Sequence, residues 1–122
     1  MTLLLVLLGG AVGAPLRYLT DRAITTRLDP VFPWGTLVVN IAASLLLGML
    51  TGAATALPPP WYALLGTGLA GALSTYSTFG YETVGLIRGD AHRHAALNVV
   101  TNLVATLCAA AFGLWLGDAL TA

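Results

Sequence analysis

From Pro30 to Tyr81 the chain carries no Asp, Glu, Lys or Arg. A helix needs about 20 apolar residues to cross the hydrocarbon of a bilayer, and this run is long enough for two. Pro58, Pro59 and Pro60 cannot continue a helix, so they divide it there. The uncharged segments Met1 to Leu16 and His94 to Gly117 supply two more. The expected spans are Thr2 to Leu19, Trp34 to Ala56, Trp61 to Leu86 and Ala95 to Leu116, joined by short loops. The fold class is an all-α membrane protein, a single four-helix transmembrane domain over residues 1–122, multi-pass in the cell membrane. Composition agrees: 57% of residues are hydrophobic and 8% charged, against about a quarter charged in soluble domains.

The charges fall into few places. Arg17, Asp21, Arg22, Arg27 and Asp29 form one cluster, Arg88, Asp90 and Arg93 a second, and Glu82 and Asp118 stand apart. Net charge is zero and Lys is absent, so no basic surface exists to hold a nucleic-acid backbone. Cys108 is the only cysteine, which excludes an intrachain disulfide and a Cys-built metal site. No Lys or Arg precedes Leu3, and a basic cluster follows the first span, as expected of a retained helix rather than a cleaved signal. Trp34, Trp61, Tyr62 and Trp115 fall near the expected helix ends, where amphipathic rings anchor at the headgroup level.

Four short helices cannot enclose a wide aqueous pore, because a small bundle fills its own centre with side chains. A second subunit is therefore expected. Gly9, Gly10, Gly13 and Ala14, then Ala42, Ala43, Ser44 and Gly48, then Gly66, Gly68 and Gly71 offer small faces for close backbone approach. The third span is the most unusual. Ser74, Thr75, Ser77 and Thr78 bracket Tyr76 in its middle, after a run of glycines. Either a continuous helix satisfies these hydroxyls on carbonyls one turn back, or the helix is broken near its middle and its freed backbone groups line a cavity or hold an ion. Tyr76 and Phe79, three apart, share a helical face, and an aromatic ring has a positive edge able to meet a small anion. Donors accompany them. Thr36 and Asn40 are four apart in the second span, and Asn98, Asn102 and Thr106 form a polar stripe along the fourth. Such stripes serve either interhelical bonding or a solute.

These residues resemble the CrcB or Fluc family of fluoride channels over nearly the whole chain. Gly9-Gly10-Ala11-Val12-Gly13-Ala14-Pro15-Leu16-Arg17-Tyr18 is similar to the family's GGxxGAxxRY. Gly35-Thr36-Leu37-Val38-Val39-Asn40, continuing through Ser44 to Gly48, is similar to GTLxVNxxGSFxxG. Gly71 to Phe79 is similar to GGxTTFSTF. The resemblance implies a passive, fluoride-selective channel, not an enzyme, assembled as an antiparallel dimer with two pores. It implies a structural sodium ion at the dimer centre on the carbonyls of Gly71 and Ser74. It also implies a fluoride path along Asn40, Tyr76, Phe79, Asn98, Asn102 and Thr106, with Arg17, Thr36 and Glu82 in vestibule or structural roles. Ala72, Ser74, Tyr76, Gly80 and Ala43 depart from the family pattern. Tyr76 replaces a phenylalanine and adds a hydroxyl, which leaves open a pore-deficient structural subunit.

Two other readings are weaker. A small multidrug transporter needs an ionisable acid in its first span, and Met1 to Leu16 has none. An enzyme needs more than His92 and His94 beside Arg93 in a loop. Orientation follows from charge: Arg22, Arg27, Arg88 and Arg93 belong with the first and third loops, whereas the other side has no Lys or Arg. Short basic loops stay cytoplasmic, so both termini are expected outside. An antiparallel dimer then calls for a related chain of opposite orientation, with a homodimer as the alternative.

Overall fold

A computed structural model describes residues 2–27, 32–53, 58–74 and 77–121, which are helical nearly throughout. Helix α1 spans Thr2–Thr25 and continues through Pro15. Helix α2 spans Trp34–Gly52. The expected third span is a series of pieces: a turn, α3, at Pro59–Trp61; a π-helical segment at Tyr62–Ala70; α4 at Gly71–Leu73; and α5 at Ser77–Arg88. Helix α6 spans His92–Thr121. Among the described residues, α1, α2 and α6 are each long and apolar enough to cross a membrane. The third expected span does not reach that length in one piece. Its helix stops at Leu73, Ser74 is extended at φ −74° and ψ 156°, and helix resumes at Ser77.

Helices α1 and α6 outrun their expected limits. Charged side chains at a membrane surface extend their heads to water without ending the helix, so Arg17, Asp21 and Arg22 lie within α1. Between α5 and α6, Asp90 takes a left-handed φ of 60°. The Asp90 amide donates to Ile87 O and the Ala91 amide to Leu86 O, the paired bonds that close a helix end and let α6 start at once.

Glycines set the packing. A Cβ at Gly9 would press on Gly68 Cα at 2.9 Å and Leu69 N at 2.7 Å, so α1 meets the π-helical segment backbone to backbone. Likewise, a Cβ at Gly113 would lie 2.9 Å from Met49 N, and one at Gly48 3.2 Å from Ala110 Cα, which brings α2 and α6 to the same intimacy. In each pair the helices run in the same direction. Without a hydrophobic drive between helices in lipid, such approach supplies the van der Waals contact that holds them. Exposure is inverted relative to a soluble domain: Leu3, Leu7, Val100, Leu107 and Trp115 are exposed, whereas Thr36, Asn98 and Asn102 are buried.

Candidate functional site: a polar seam between two hollows

Two polar stripes face each other inside this frame. On α2, Thr36, Asn40 and Ser44 recur at four-residue spacing. On α6, Asn98, Asn102 and Thr106 do the same. The Asn40 amide donates to Asn102 Oδ1 at 3.1 Å. Asn102 Nδ2 in turn donates to Asn98 O at 2.9 Å and Asn98 Oδ1 at 2.8 Å. Asn98, fully buried, donates to Thr83 Oγ1 at 2.9 Å, and Thr83 donates to Phe79 O at 2.8 Å. The chain of bonds thus joins α2, α6 and α5. Buried amides in lipid are stable only when satisfied in this way. One turn along α2, the Thr36 hydroxyl donates to Glu82 Oε1.

A hollow of about 450 Å³ opens beside the seam, lined by Asn40, Ser44, Ser74, Phe79, Val99, Asn102, Leu103 and Thr106. A smaller hollow of about 200 Å³ is lined by Arg17, Tyr18, Asp21, Thr36, Val39 and Thr78. The two adjoin: Thr36 and Asn40 are one turn apart on α2, and Thr78 and Phe79 are neighbours on α5. Among the described residues, no charged side chain lines the larger hollow, whereas Arg17 and Asp21 line the smaller.

The structure brings Asn40, Phe79, Asn102 and Thr106 together as the sequence grouped them, and adds Ser74 to the same wall. Asn98 does not line that wall; it is buried behind it as the partner of Asn102 and Thr83. Arg17 and Thr36 share the smaller hollow, and Glu82 faces Thr36. Gly71 lies in α4, with its carbonyl accepting from the Ser74 hydroxyl at 3.3 Å. Tyr76 lies outside the described residues. Sequence reasoning missed Thr83 and passed over Asp21 as one charge in a cluster. Thr83 stands four residues after Phe79, a helical spacing that was visible, but its partner on another helix was not.

Comparison with known proteins follows the same residues. The family model for CrcB-like proteins, described as Camphor Resistance (CrcB), matches residues 4–114. A protein of Frankia casuarinae called fluoride-specific ion channel FluC 1 is 58% identical, over 93% of each chain. One of the same name from Streptomyces avermitilis is 52% identical over 100% of both. Fluoride-specific ion channel FluC of Thermococcus kodakarensis is 46% identical over 82% of each. Its relatives are named as channels rather than enzymes. The chain, a multi-pass protein of the plasma membrane, belongs to the CrcB-like family.

Proposed function

We propose that the chain is a passive, fluoride-selective channel subunit and that the larger hollow forms one wall of the fluoride path. The observation that carries this is the wall's chemistry: two amides, three hydroxyls and a phenyl ring beside the aliphatic Val99 and Leu103, with no charged group among the described residues that line it. Fluoride is small and tightly hydrated, so it enters only where fixed donors replace its water. Amide N–H groups and an aromatic edge do so without a full positive charge that would trap it, while the Ser74 and Thr106 hydroxyls donate to the Gly71 and Asn102 carbonyls. Asn102 spends its donors on Asn98 and its acceptor on Asn40, so it holds Asn40 in place on this wall. Efflux from liposomes loaded with fluoride or chloride tests the reading. Fluoride is expected to leave and chloride to stay; equal efflux of both would sink it.

Four membrane crossings and an antiparallel dimer complete the proposal. Helix α1 with the π-helical segment, and α2 with α6, each run in the same direction, as alternating crossings require. The pieces of residues 59–88 then act as the remaining span. Its break supports the structural sodium ion that the family resemblance implies. α4 ends at Leu73 and Ser74 is extended, so carbonyls there leave the helical ladder, and hard oxygen donors of this kind suit Na+. Gly71 and Ser74 would hold it through their carbonyls. One chain offers two such groups, and a second chain of opposite orientation would double them. Such an ion would supply positive charge to offset the carbonyl oxygens gathered there.

Charge favours a related chain as that partner. Arg22 closes α1, Arg88 closes α5 and Arg93 opens α6, so these arginines gather toward one end of the bundle and disfavour dual insertion. A reporter fused at Ala122 decides between partners: equal signals on both sides of the membrane support the homodimer. A purely external signal, with no flux from the chain alone, supports the two-chain channel.

A further inference from the structure

Helix α2 begins without a capping side chain. Its preceding residue is Pro33, which makes no side-chain cap bond, while the first amides of any helix lack acceptors and carry a positive partial charge. Asp21 of α1 occupies this place from outside. A Cβ built on Gly35 would collide with Asp21 Oδ1, and would lie 2.8 Å from Asp21 Cα and 2.9 Å from its Cγ. Only glycine at position 35 lets the Asp21 carboxylate lie flush on the first turn of α2. Asp21 also lines the smaller hollow with Arg17, four residues before it on the same helical face, and with Thr36 and Thr78.

Asp21 therefore stands against two positive sources, the Arg17 guanidinium across the hollow and the first turn of α2 at Gly35, while Glu82, held on Thr36, is a second carboxylate beside the hollow. We propose that Asp21 is a positioning residue for conduction: it docks α1 on the start of α2 and offsets the positive charge there, so that an anion drawn in by Arg17 is passed on rather than held. The proposal rests on the channel reading given above. Its physical basis is that a conducting site must bind strongly enough to admit an ion and weakly enough to release it.

The test uses the full chain with Asp21→Asn, which keeps the shape, Asp21→Ser, which shortens it, and Asp21→Glu, which keeps the charge. Both neutral variants are expected to lower the half-saturating fluoride concentration of flux by about three- to tenfold, with a reduced maximal rate, while Asp21→Glu, which keeps the charge but is one methylene longer than the Gly35 contact admits, falls between them and the unaltered chain. Arg17→Gln combined with Asp21→Asn is expected to return half-saturation toward the starting value. A second readout does not need conduction. The rise in melting temperature on replacing gluconate by fluoride at equal ionic strength is expected to be larger in the neutral variants, even in a chain that passes no ions. Absence of flux from the unaltered chain, both alone and together with a related chain of opposite orientation, counts against the channel reading alone. Unchanged half-saturation and unchanged fluoride-induced melting shift in Asp21→Asn and Asp21→Ser, or an Asp21→Glu chain that behaves like them, would overturn the role of Asp21.

Discussion

The two halves of the interrupted third segment are held by opposite means. The π-helical half, Tyr62–Ala70, is fixed by backbone contact: a Cβ at Gly68 would meet Val6 O at 2.7 Å and Gly9 Cα at 2.9 Å. The later half, α5, contains Gly80 and Gly85, where an added Cβ would meet no described residue within 4 Å beyond the helix's own backbone. It is fixed by side-chain bonds instead, from Thr36 to Glu82 and from Asn98 to Thr83, with Tyr81 and Val84 exposed. Each half spends its surface differently. The first is a structural brace inside one chain, and the second hangs on polar groups while presenting Phe79 to the larger hollow.

Breaking the brace has the largest expected effect. Gly68→Val puts two methyl groups into the α1 backbone, and overpacking of this kind costs about 3 kcal/mol. Loss of the folded peak in size-exclusion chromatography checks it. Cutting the polar tether comes next. Asn98→Leu leaves Thr83 and Asn102 without their partner, at a cost of about 2 kcal/mol, read as a lower melting temperature together with lost flux.

Position 71 sharpens the contrast. A Cβ there meets only Gly66 O at 3.9 Å, so one chain has room for a side chain. If the proposed second chain packs at Gly71, Gly71→Leu is expected to leave the subunit fold intact and to abolish the dimer, measured by light scattering. A normal dimer would reject a contact between chains at Gly71. The smallest effect belongs to Gly85→Ala. With open space around it and a better helix former in place, the change is expected to stabilise the chain by up to about 1 kcal/mol, visible as a slightly raised melting temperature.

Much of this arrangement was legible in the residues. The proline triplet and the charge-free run located the spans, because both act locally: a missing amide ends a helix, and an apolar run seeks lipid. The interruption after Leu73 is one of two readings of the hydroxyl cluster, and the family resemblance puts Asn40, Phe79, Asn102 and Thr106, with Tyr76 and Asn98, on one path. What stayed hidden depends on pairs from different helices. The burial of Asn98 behind the wall requires Thr83 to reach it. The fit of Asp21 on α2 depends on Gly35, and the π-helical winding on how residues 62–70 meet α1. Helical periodicity shows which residues share a face, but not which face meets which.

The central claim is that fluoride passes along the uncharged wall beside Phe79. Fluoride efflux from liposomes, with chloride as control, tests it most directly when Phe79→Ile is compared with Val104→Ala on the exposed side of α6. Fluoride-selective efflux is expected from the unaltered chain and from Val104→Ala, each reconstituted with a related chain where the channel takes two, and a loss of about a hundredfold in Phe79→Ile as the ring edge disappears. Efflux at an unchanged rate through Phe79→Ile would contradict it.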